Sequence, residues 1–453
     1  MKKLFLLSAL CAFTLYLAFP GSAAQKNEKN AVTFSKDVAP ILQQRCEECH
    51  HQGGMAPMSL VTFEEVRPWA KSIREKVVTR EMPPFHASGP VGRYVDDPRL
   101  TDAEIETVKA WVDGGAVKGN PAEMPAPKTW PDKWRNGAPD LVVSLPKPYV
   151  VKPSKEDQYV FILTDYVLPD ETWVRGVEIR AGNRKVVHHA NIHLVPPNFK
   201  VPDSAYFNGN RPADTGSVEA GIIRGPFDPA AVGAPLITGW APGMQARLLQ
   251  AGWGSALPKG MRLAIQMHYS PTDKEEIDQT SVGFYFADGL IKKQPHILPG
   301  GTREITIPAG DPNFQIVRKR PFDRDVLVHT FGVHMHVRGK SFAFRFHYPD
   351  GRVETVFEVP RYDFNWQRSY TLVEPINVLK GTVVEYIATW DNSAKNKFNP
   401  DPTKVVTWGE RTTDEMMGGR VNFEIPDENI NVMVEKGRRV AAQAPTQKGG
   451  SNQ

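Results

Sequence analysis

Five consecutive residues, Cys46-Glu47-Glu48-Cys49-His50, combine two thiols and an imidazole at a spacing that suits one chemistry. Two cysteines separated by two residues can add to the two vinyl groups of a haem, and the histidine that follows can ligate its iron. A zinc knuckle would need a second ligand pair, and a thiol redox pair would need thioredoxin-like surroundings; the sequence offers neither. The motif therefore predicts one covalent haem c, attached through Cys46 and Cys49 and ligated by His50.

The residues on either side of this motif predict short helices. Ser35 can cap a helix that leads into the motif, and Thr101 with Glu104 forms a capping box at the start of a later helix. The later helix carries an apolar stripe, formed by Ile105, Val108, Trp111 and Val112. With the motif, residues 32–120 resemble a small class I cytochrome c domain, and the resemblance implies an all-α fold.

The resemblance also implies a sixth ligand for the haem iron. Met82 lies in a rigid loop, Glu81-Met82-Pro83-Pro84, where that family commonly supplies a thioether, and we favour it. Four other side chains stay open as alternatives: Met55, Met58, His51 and His86. An open sixth position would change the chemistry of the haem.

A second group of candidate ligands lies further along the chain. Histidines cluster in three strand-like segments, Val187-His188-His189-Ala190-Asn191-Ile192-His193, Gln266-Met267-His268-Tyr269 and Val333-His334-Met335-His336. Alternate residues of a strand share a face, so the last two histidines can bind one ion. Imidazoles with few carboxylates, and a thioether available in Thr412-Thr413-Asp414-Glu415-Met416-Met417, favour copper over calcium, magnesium or structural zinc.

The order of these motifs, HH, QxHY, HxH and then TxDEM, resembles that of the copper type II, ascorbate-dependent monooxygenases. That family includes the peptidylglycine and dopamine hydroxylases. The resemblance covers most of residues 155–435. It implies two copper ions, held in two all-β, jelly-roll-like sandwiches.

Carried over position by position, two ligand sets emerge. The first, which would hold an electron-transfer copper in the first sandwich, consists of His188, His189 and His268. The second, which would hold the oxygen-binding copper and carry catalysis, consists of His334, His336 and Met416, with Met417 as the register alternative. Other residues are expected to be structural, to surround the ligands or to lie at the surface: His193, His296, His329, Met335 and His347.

The sequence departs from the family at two points. The animal enzymes contain several disulfides, whereas here the cysteines beyond the leader, Cys46 and Cys49, are used for haem. Gly332 stands where the peptide hydroxylase places the arginine that binds the substrate carboxylate, and Arg338 is nearby but does not match that position. A peptidylglycine substrate is therefore not favoured.

Composition and the positions of Pro- and Gly-rich segments predict a multidomain, exported chain. The predicted units are a signal peptide (1–24), the cytochrome domain (32–120), a Pro-rich linker (121–153), two sandwiches (154–294 and 300–435) and a disordered tail (436–453). Without the leader, 53 basic side chains face 51 acidic ones, which does not favour nucleic-acid binding. The expected location is periplasmic or secreted, without stable membrane insertion after cleavage.

Together these features predict a copper-dependent monooxygenase that hydroxylates a C–H bond of a small organic substrate with O₂. Electrons would come from an external donor, a redox protein or an ascorbate-like reductant, through the fused haem. Two other classes stay open: a haem and copper electron-transfer protein without oxygenase activity, and a haem-based gas sensor. The sequence does not identify the substrate.

Overall fold

The computed structural model describes residues 31–130, 134–200, 222–224, 229 and 233–440, and the predicted signal peptide lies outside this range. The described chain is mostly β-sheet with few helices. None of the described helices combines the length and apolar character needed to span a membrane.

The N-terminal part, here called the helical unit (residues 32–119), has a core of its own. Its helices are α1 (Ala39–Arg45), α2 (Phe63–Val66), α3 (Ala70–Val78) and α4 (Asp102–Asp113), with single turns at Phe34–Val38 and Arg67–Trp69, and a further single turn at Pro121–Glu123 follows the unit. The capping box predicted at Thr101 and Glu104 is present at α4, whose apolar stripe is buried except for the partly buried Val112. Ser35 does not cap a helix, because it lies inside the first turn and its buried hydroxyl donates to the Lys118 carbonyl.

Two sheets enclose the core of the first sandwich. Five strands form one sheet in the order β6-β3-β9-β5-β7: β3 (Gln158–Val167), β5 (Val187–Val195), β6 (Ile222–Arg224), β7 (Leu236–Trp240) and β9 (Arg262–Tyr269). The facing sheet contains β1 (Leu141–Ser144), β4 (Thr172–Arg180), β8 (Ser255–Leu257), β11 (Ser281–Phe286), β12 (Gly289–Ile291), β23 (Val432–Glu435) and β24 (Arg438–Arg439). A small ribbon pairs β2 (Tyr149–Val151) with β10 (Glu276–Asp278).

The second sandwich packs two four-stranded sheets over a core rich in phenylalanine. One sheet contains β13 (His296–Pro299), β16 (Val326–His334), β19 (Ser369–Val378) and β22 (Gly418–Glu424). The other contains β15 (Phe314–Pro321), β17 (Gly339–His347), β18 (Val353–Val359) and β20 (Val383–Trp390). A ribbon pairs β14 (Thr306–Ile307) with β21 (Val406–Thr407).

The unit boundaries differ from those predicted. The second half of the predicted linker, 121–153, contributes β1 and β2 to the first sandwich, and the second sandwich begins with β13, before residue 300. Strands β23 and β24 return from the second sandwich to the sheet of the first, so paired structure extends past residue 436, where the predicted tail begins. Residues 441–453 of that tail lie outside the described residues.

The helical unit is attached to the second sandwich through its own backbone. Residues 93–95 pair with the edge strand β19: the N–H of Val95 donates to the Thr371 carbonyl (2.8 Å), and the N–H of Val373 donates to the Arg93 carbonyl (3.0 Å). Tyr94, which is 2% exposed, enters the core of the second sandwich. The unit that carries the CxxCH motif is therefore held against the strand next to β16, which ends at His334.

Candidate metal centres and haem motif

His188, His189 and His268 meet on two neighbouring strands of the first sandwich. His189 on β5 is the cross-strand partner of His268 on β9. A regular strand would send consecutive side chains to opposite faces, but the register of β5 shifts between Val187 and His189, so His188 is the extra residue of a β-bulge. The bulge turns two adjacent imidazoles toward the third.

The separations within this triad suit a metal ion. The Nδ1 of His189 lies 3.4 Å from the Nδ1 of His188 and 3.1 Å from the Nδ1 of His268. Two nitrogens bound tetrahedrally to one ion at 2.0–2.1 Å would be about 3.3 Å apart. Among the described residues, this is the single group of three or more His, Cys, Asp or Glu whose ligand atoms all lie within 4.8 Å of one another.

Two rings of the triad stay neutral, and a hydrogen bond to Asp157 fixes the orientation of the third. Burial lowers the pKa of His188 to about 3 and that of His189 well below the ordinary value, so both rings keep a lone pair at neutral pH. The Nε2 of His268 donates to the Asp157 carboxylate at 2.9 Å, which leaves its Nδ1 as the ligand atom. Burial opposes ionisation of Asp157, but hydrogen bonds, chiefly from His268 and then from Thr412 and Ser270, lower its pKa to about 2.

His193 does not join the triad. Its Nδ1 is 2.9 Å from the Ala234 carbonyl and its ring packs beside Phe161. Its role is therefore structural, within a separate small cluster of the first sandwich.

His334 and His336 form the second set, at the end of β16. The Nδ1 of His334 is 2.6 Å from the Gln367 Oε1, and the Nδ1 of His336 is 3.1 Å from the Asp414 carbonyl. Both partners are acceptors, so both Nδ1 atoms carry the proton and both Nε2 atoms keep a lone pair. Burial lowers the pKa of His334 to about 4 and that of His336 well below its ordinary value, so the pair stays neutral.

The burial pattern separates Met416 from Met417. Met417 is 3% exposed and belongs to the core of the second sandwich, whereas Met416 is only partly buried. Gly418 is the cross-strand partner of His334, and a Cβ added at Gly418 would lie 2.9 Å from the His334 Cβ. Side chains alternate along an extended chain, so Met416 shares the face of His334 and Met417 faces the core.

Glu415 is a residue of this site that the sequence analysis did not single out. Its fully buried carboxylate accepts from the backbone N–H groups of His336 (2.9 Å) and Arg338 (2.7 Å) and from the Trp390 indole (2.9 Å). Burial raises its pKa to about 7. Its position in the TxDEM motif is the sequence feature that could have identified it. Glu415 holds the HxH segment against the loop that precedes Met416.

Arg338 is buried and forms hydrogen bonds within the protein. It is 2% exposed, and its guanidinium donates to the Asn392 side chain (2.9 Å) and the Thr413 carbonyl (2.8 Å). It therefore has a structural role and is not a candidate for binding a substrate carboxylate.

One aromatic ring lies between the two histidine sets. Phe364, from the loop between β18 and β19, stacks on His188 with ring centroids 4.7 Å apart and an interplanar angle of 19°. The same ring contacts His336 edge-on, with centroids 5.8 Å apart. The Phe364 carbonyl accepts from the side-chain amide of Gln367, the partner of His334. The two sets thus face each other across a single side chain.

The haem motif has the free groups that covalent attachment needs. Cys46 and Cys49 are unpaired, partly buried thiols, and burial raises the pKa of Cys46 to about 12. The Nδ1 of His50 is 3.0 Å from the Met58 carbonyl, so Nδ1 carries the proton and Nε2 is available to iron. Burial lowers the pKa of His50, which keeps the ring neutral. These residues fit a haem c.

The candidates for the sixth haem ligand differ in their surroundings. His51 stacks on Trp130, and Met58 packs against the core of the helical unit. Met82 follows α3 and is 38% exposed, and the buried Nδ1 of His86 has no hydrogen-bond partner among the described residues. Met82 stays the favoured ligand, with Met55 and His86 as alternatives.

The remaining histidines contact carboxylates. His296 pairs with Glu428 (2.8 Å), His329 with Glu424 (3.2 Å) and His347 with Glu385 (3.0 Å). They are packing or surface residues, away from both sets.

Comparisons with known proteins give no family. No protein-family model matches the chain, and no curated protein matches it significantly. Two solved structures with partial similarity are viral. The infectious bursal disease virus VP2 subviral particle shows 10% identity over 66% of this chain and 84% of the other, with a TM-score of 0.17. The major capsid protein P2 from bacteriophage PM2 shows 9% identity over 64% and 99%, with a TM-score of 0.23. Both scores are too low to support an argument.

Proposed function

We propose that this protein is an exported, copper-dependent monooxygenase that hydroxylates a C–H bond of a small organic substrate with O₂. The observation that carries the proposal is that a set of three imidazoles and a set of two both contact Phe364, whose ring stacks on His188 of the first set and meets His336 of the second edge-on. Both sets share one chain with a CxxCH motif whose helical unit is paired to the second sandwich.

The donor atoms favour copper at both sets. The first set offers three imidazoles and no directly convergent carboxylate; its nearest acid, Asp157, lies behind His268. The second offers two imidazoles and, from the same face, the thioether of Met416. Soft and borderline ligands of this kind select copper over the hard cations.

Hydroxylation needs two electrons besides those of the substrate, because one oxygen atom leaves as water. When bound, copper supplies one-electron redox chemistry and a position for O₂, and haem c supplies electrons one at a time from an external donor. This chain's residues hold His188, His189, His334 and His336 neutral and fix the tautomers of His334 and His336, and Phe364 contacts one ring of each set. His334, His336 and Met416 are the proposed catalytic residues.

Copper analysis combined with oxygen labelling tests the proposal. The haem-loaded full chain, treated anaerobically with copper(I), should bind two copper ions per haem, and His189→Asn and His336→Asn should each bind one. Mixing the reduced protein with isotopically labelled O₂ and a panel of C–H substrates should place one labelled atom in the product. Haem iron without bound copper would overturn the proposal and favour a sensor.

Electron transfer without oxygenation is the second candidate, and one observation favours it. A cavity of about 530 Å³ in the first sandwich, lined mainly from β4 and β7, includes none of the proposed ligands. A relay would need no substrate pocket. Two bound copper ions without labelled product from any substrate would support the relay over the monooxygenase.

A further inference from the structure

Thr412 belongs by sequence to the second ligand set but lies against the first. It precedes Met416 by four residues, yet its hydroxyl donates to the Asp157 carboxylate at 2.6 Å. Its backbone N–H donates to the Tyr159 hydroxyl at 2.7 Å. Both partners lie at the start of the first sandwich, about 250 residues earlier in the chain.

Asp157 and Tyr159 are also the residues that hold His268. The Asp157 carboxylate accepts from the Nε2 of His268 at 2.9 Å, and the Tyr159 ring stacks on the imidazole with centroids 4.4 Å apart. Tyr159 can stack there because it is the cross-strand partner of His268 on β9. By contrast, the buried Nε2 of His188 has no hydrogen-bond partner among the described residues.

The loop that Thr412 begins then reaches the second set. Two residues later, the Asp414 carbonyl accepts from the Nδ1 of His336, and Glu415 binds the backbone of His336. A continuous chain therefore leads from His268 through Asp157 and Thr412 to His336 and Met416, and every hydrogen bond in it is 3.1 Å or shorter.

We propose that the Asp157–Thr412 hydrogen bond couples metal binding at the two sets, so that an ion held by His188, His189 and His268 raises the affinity of the His334, His336 and Met416 set. Asp157 and Thr412 are positioning residues in this scheme. The proposal rests on the copper function above, because it needs two sets that each bind an ion.

The physical basis is the cost of ordering the loop. An ion on the Nδ1 of His268 fixes that ring, and its Nε2–H then holds Asp157 in the orientation that accepts from Thr412. The first ion therefore pays part of the ordering cost of residues 412–416, and the second ion binds to a loop that is already in place. Such coupling is reciprocal, and typical values change affinity 5- to 150-fold.

The test measures copper(I) affinity at the second set, in the full haem-loaded chain, with the first set intact or disabled by His189→Asn. In the natural sequence, disabling the first set should lower second-set affinity at least about five-fold. Thr412→Val keeps the shape of the side chain but removes the hydroxyl. In that background, His189→Asn should lower the copper(I) affinity of the second set less than about two-fold.

Two controls separate coupling from general loss of structure. Thr412→Ser keeps the hydroxyl and should keep the coupling, and Thr413→Val makes the same change at an exposed neighbouring position and should also keep it. Hydrogen exchange of residues 411–417 should slow on copper(I) loading in the natural chain and in both controls, but not in Thr412→Val.

The outcomes distinguish this inference from the proposed function. If His189→Asn lowers the copper(I) affinity of the second set equally in the natural chain and in Thr412→Val, the coupling is overturned but the two copper sites remain. Absence of copper at either set in the natural chain would overturn both. If Thr412→Val unfolds, Thr412→Ala provides the same comparison, because it also removes the hydroxyl that donates to Asp157.

Discussion

At the scale of single residues, Met416 and Met417 offer the sharpest test of the second ligand set. Met416→Ile removes a thioether that lies on the face of His334, so we expect copper(I) affinity at that set to fall at least about ten-fold, which is 1.4 kcal/mol. Equilibrium dialysis against buffered copper(I) measures this loss, and the first set should stay loaded.

Met417→Ile is the matched control, because the same change then falls in the core of the second sandwich. A volume-conserving apolar substitution there should cost less than about 1.5 kcal/mol of unfolding free energy and leave copper binding intact. If Met417→Ile instead abolished copper binding while Met416→Ile retained it, the register of the ligand would be shifted by one residue.

The residues that surround the ligands could not be found from sequence alone. His188, His189 and His334 stand in motifs whose composition suggests metal binding. Asp157, however, meets His268 across 111 positions of the chain. Nothing in the local pattern around an aspartate reports such a partner. The proposed ligand types were therefore readable from sequence, whereas the groups that fix their tautomers required the fold.

At the scale of elements, residues 93–95 form the attachment of the helical unit. Tyr94→Ala should destabilise the protein by about 3–5 kcal/mol, because a large, fully packed aromatic side chain leaves a cavity in the second sandwich. Urea denaturation followed by circular dichroism measures the change. We also expect the helical unit to become more susceptible to limited proteolysis at this segment.

Tyr94→Phe separates packing from hydrogen bonding at the same position. It removes only the hydrogen bond from the Tyr94 hydroxyl to the Ser88 carbonyl (3.0 Å), so the expected loss is about 1 kcal/mol. Equal destabilisation by the two variants would mean that the aromatic ring contributes little. The attachment would then depend on the backbone pairing with β19.

Elements with a local signature were predictable, and those made by distant pairing were not. Helix α4 has its capping box and apolar stripe within a dozen residues, and both are found in the structure. Strands β1 and β2 lie in a Pro-rich stretch that resembles a linker, and they become strands because β11 and β10 pair with them. The bulge at His188 is equally invisible, since it exists only relative to β9.

At the scale of the whole molecule, the chain crosses between the sandwiches twice. It leaves the first sandwich after β12 and enters the second at β13, then returns from β22 to β23, which pairs with β12 again. Strand β24 extends this return to β4 through Arg438 and Thr172. Two covalent crossings, together with the Thr412 contact, restrict the motion of one sandwich against the other and so set the distance between the two ligand sets.

Four histidines of the two ligand sets have lowered folded-state pKa values, and this predicts that the metal-free protein is sensitive to acid. Burial lowers the folded-state pKa of four histidines, to about 3 for His188, to about 4 for His334, and well below the ordinary value for His189 and His336. Between those values and the unfolded pKa near 6.5, the unfolded chain binds more protons. Stability is therefore fully present above pH 6.5 and is lost as the pH falls.

Each of these histidines contributes a slope of up to about 1.4 kcal/mol per pH unit, and Glu415, whose pKa burial raises to about 7, opposes one of them between pH 4.5 and 7. Urea midpoints of the metal-free protein should thus fall steeply from pH 7 to pH 4.5. The double variant His334→Asn, His336→Asn should reduce that slope by about two-thirds, because two of the four histidines are removed while Glu415 still opposes one of the remaining two. An unchanged slope in the double variant would show that the acid sensitivity arises elsewhere in the molecule.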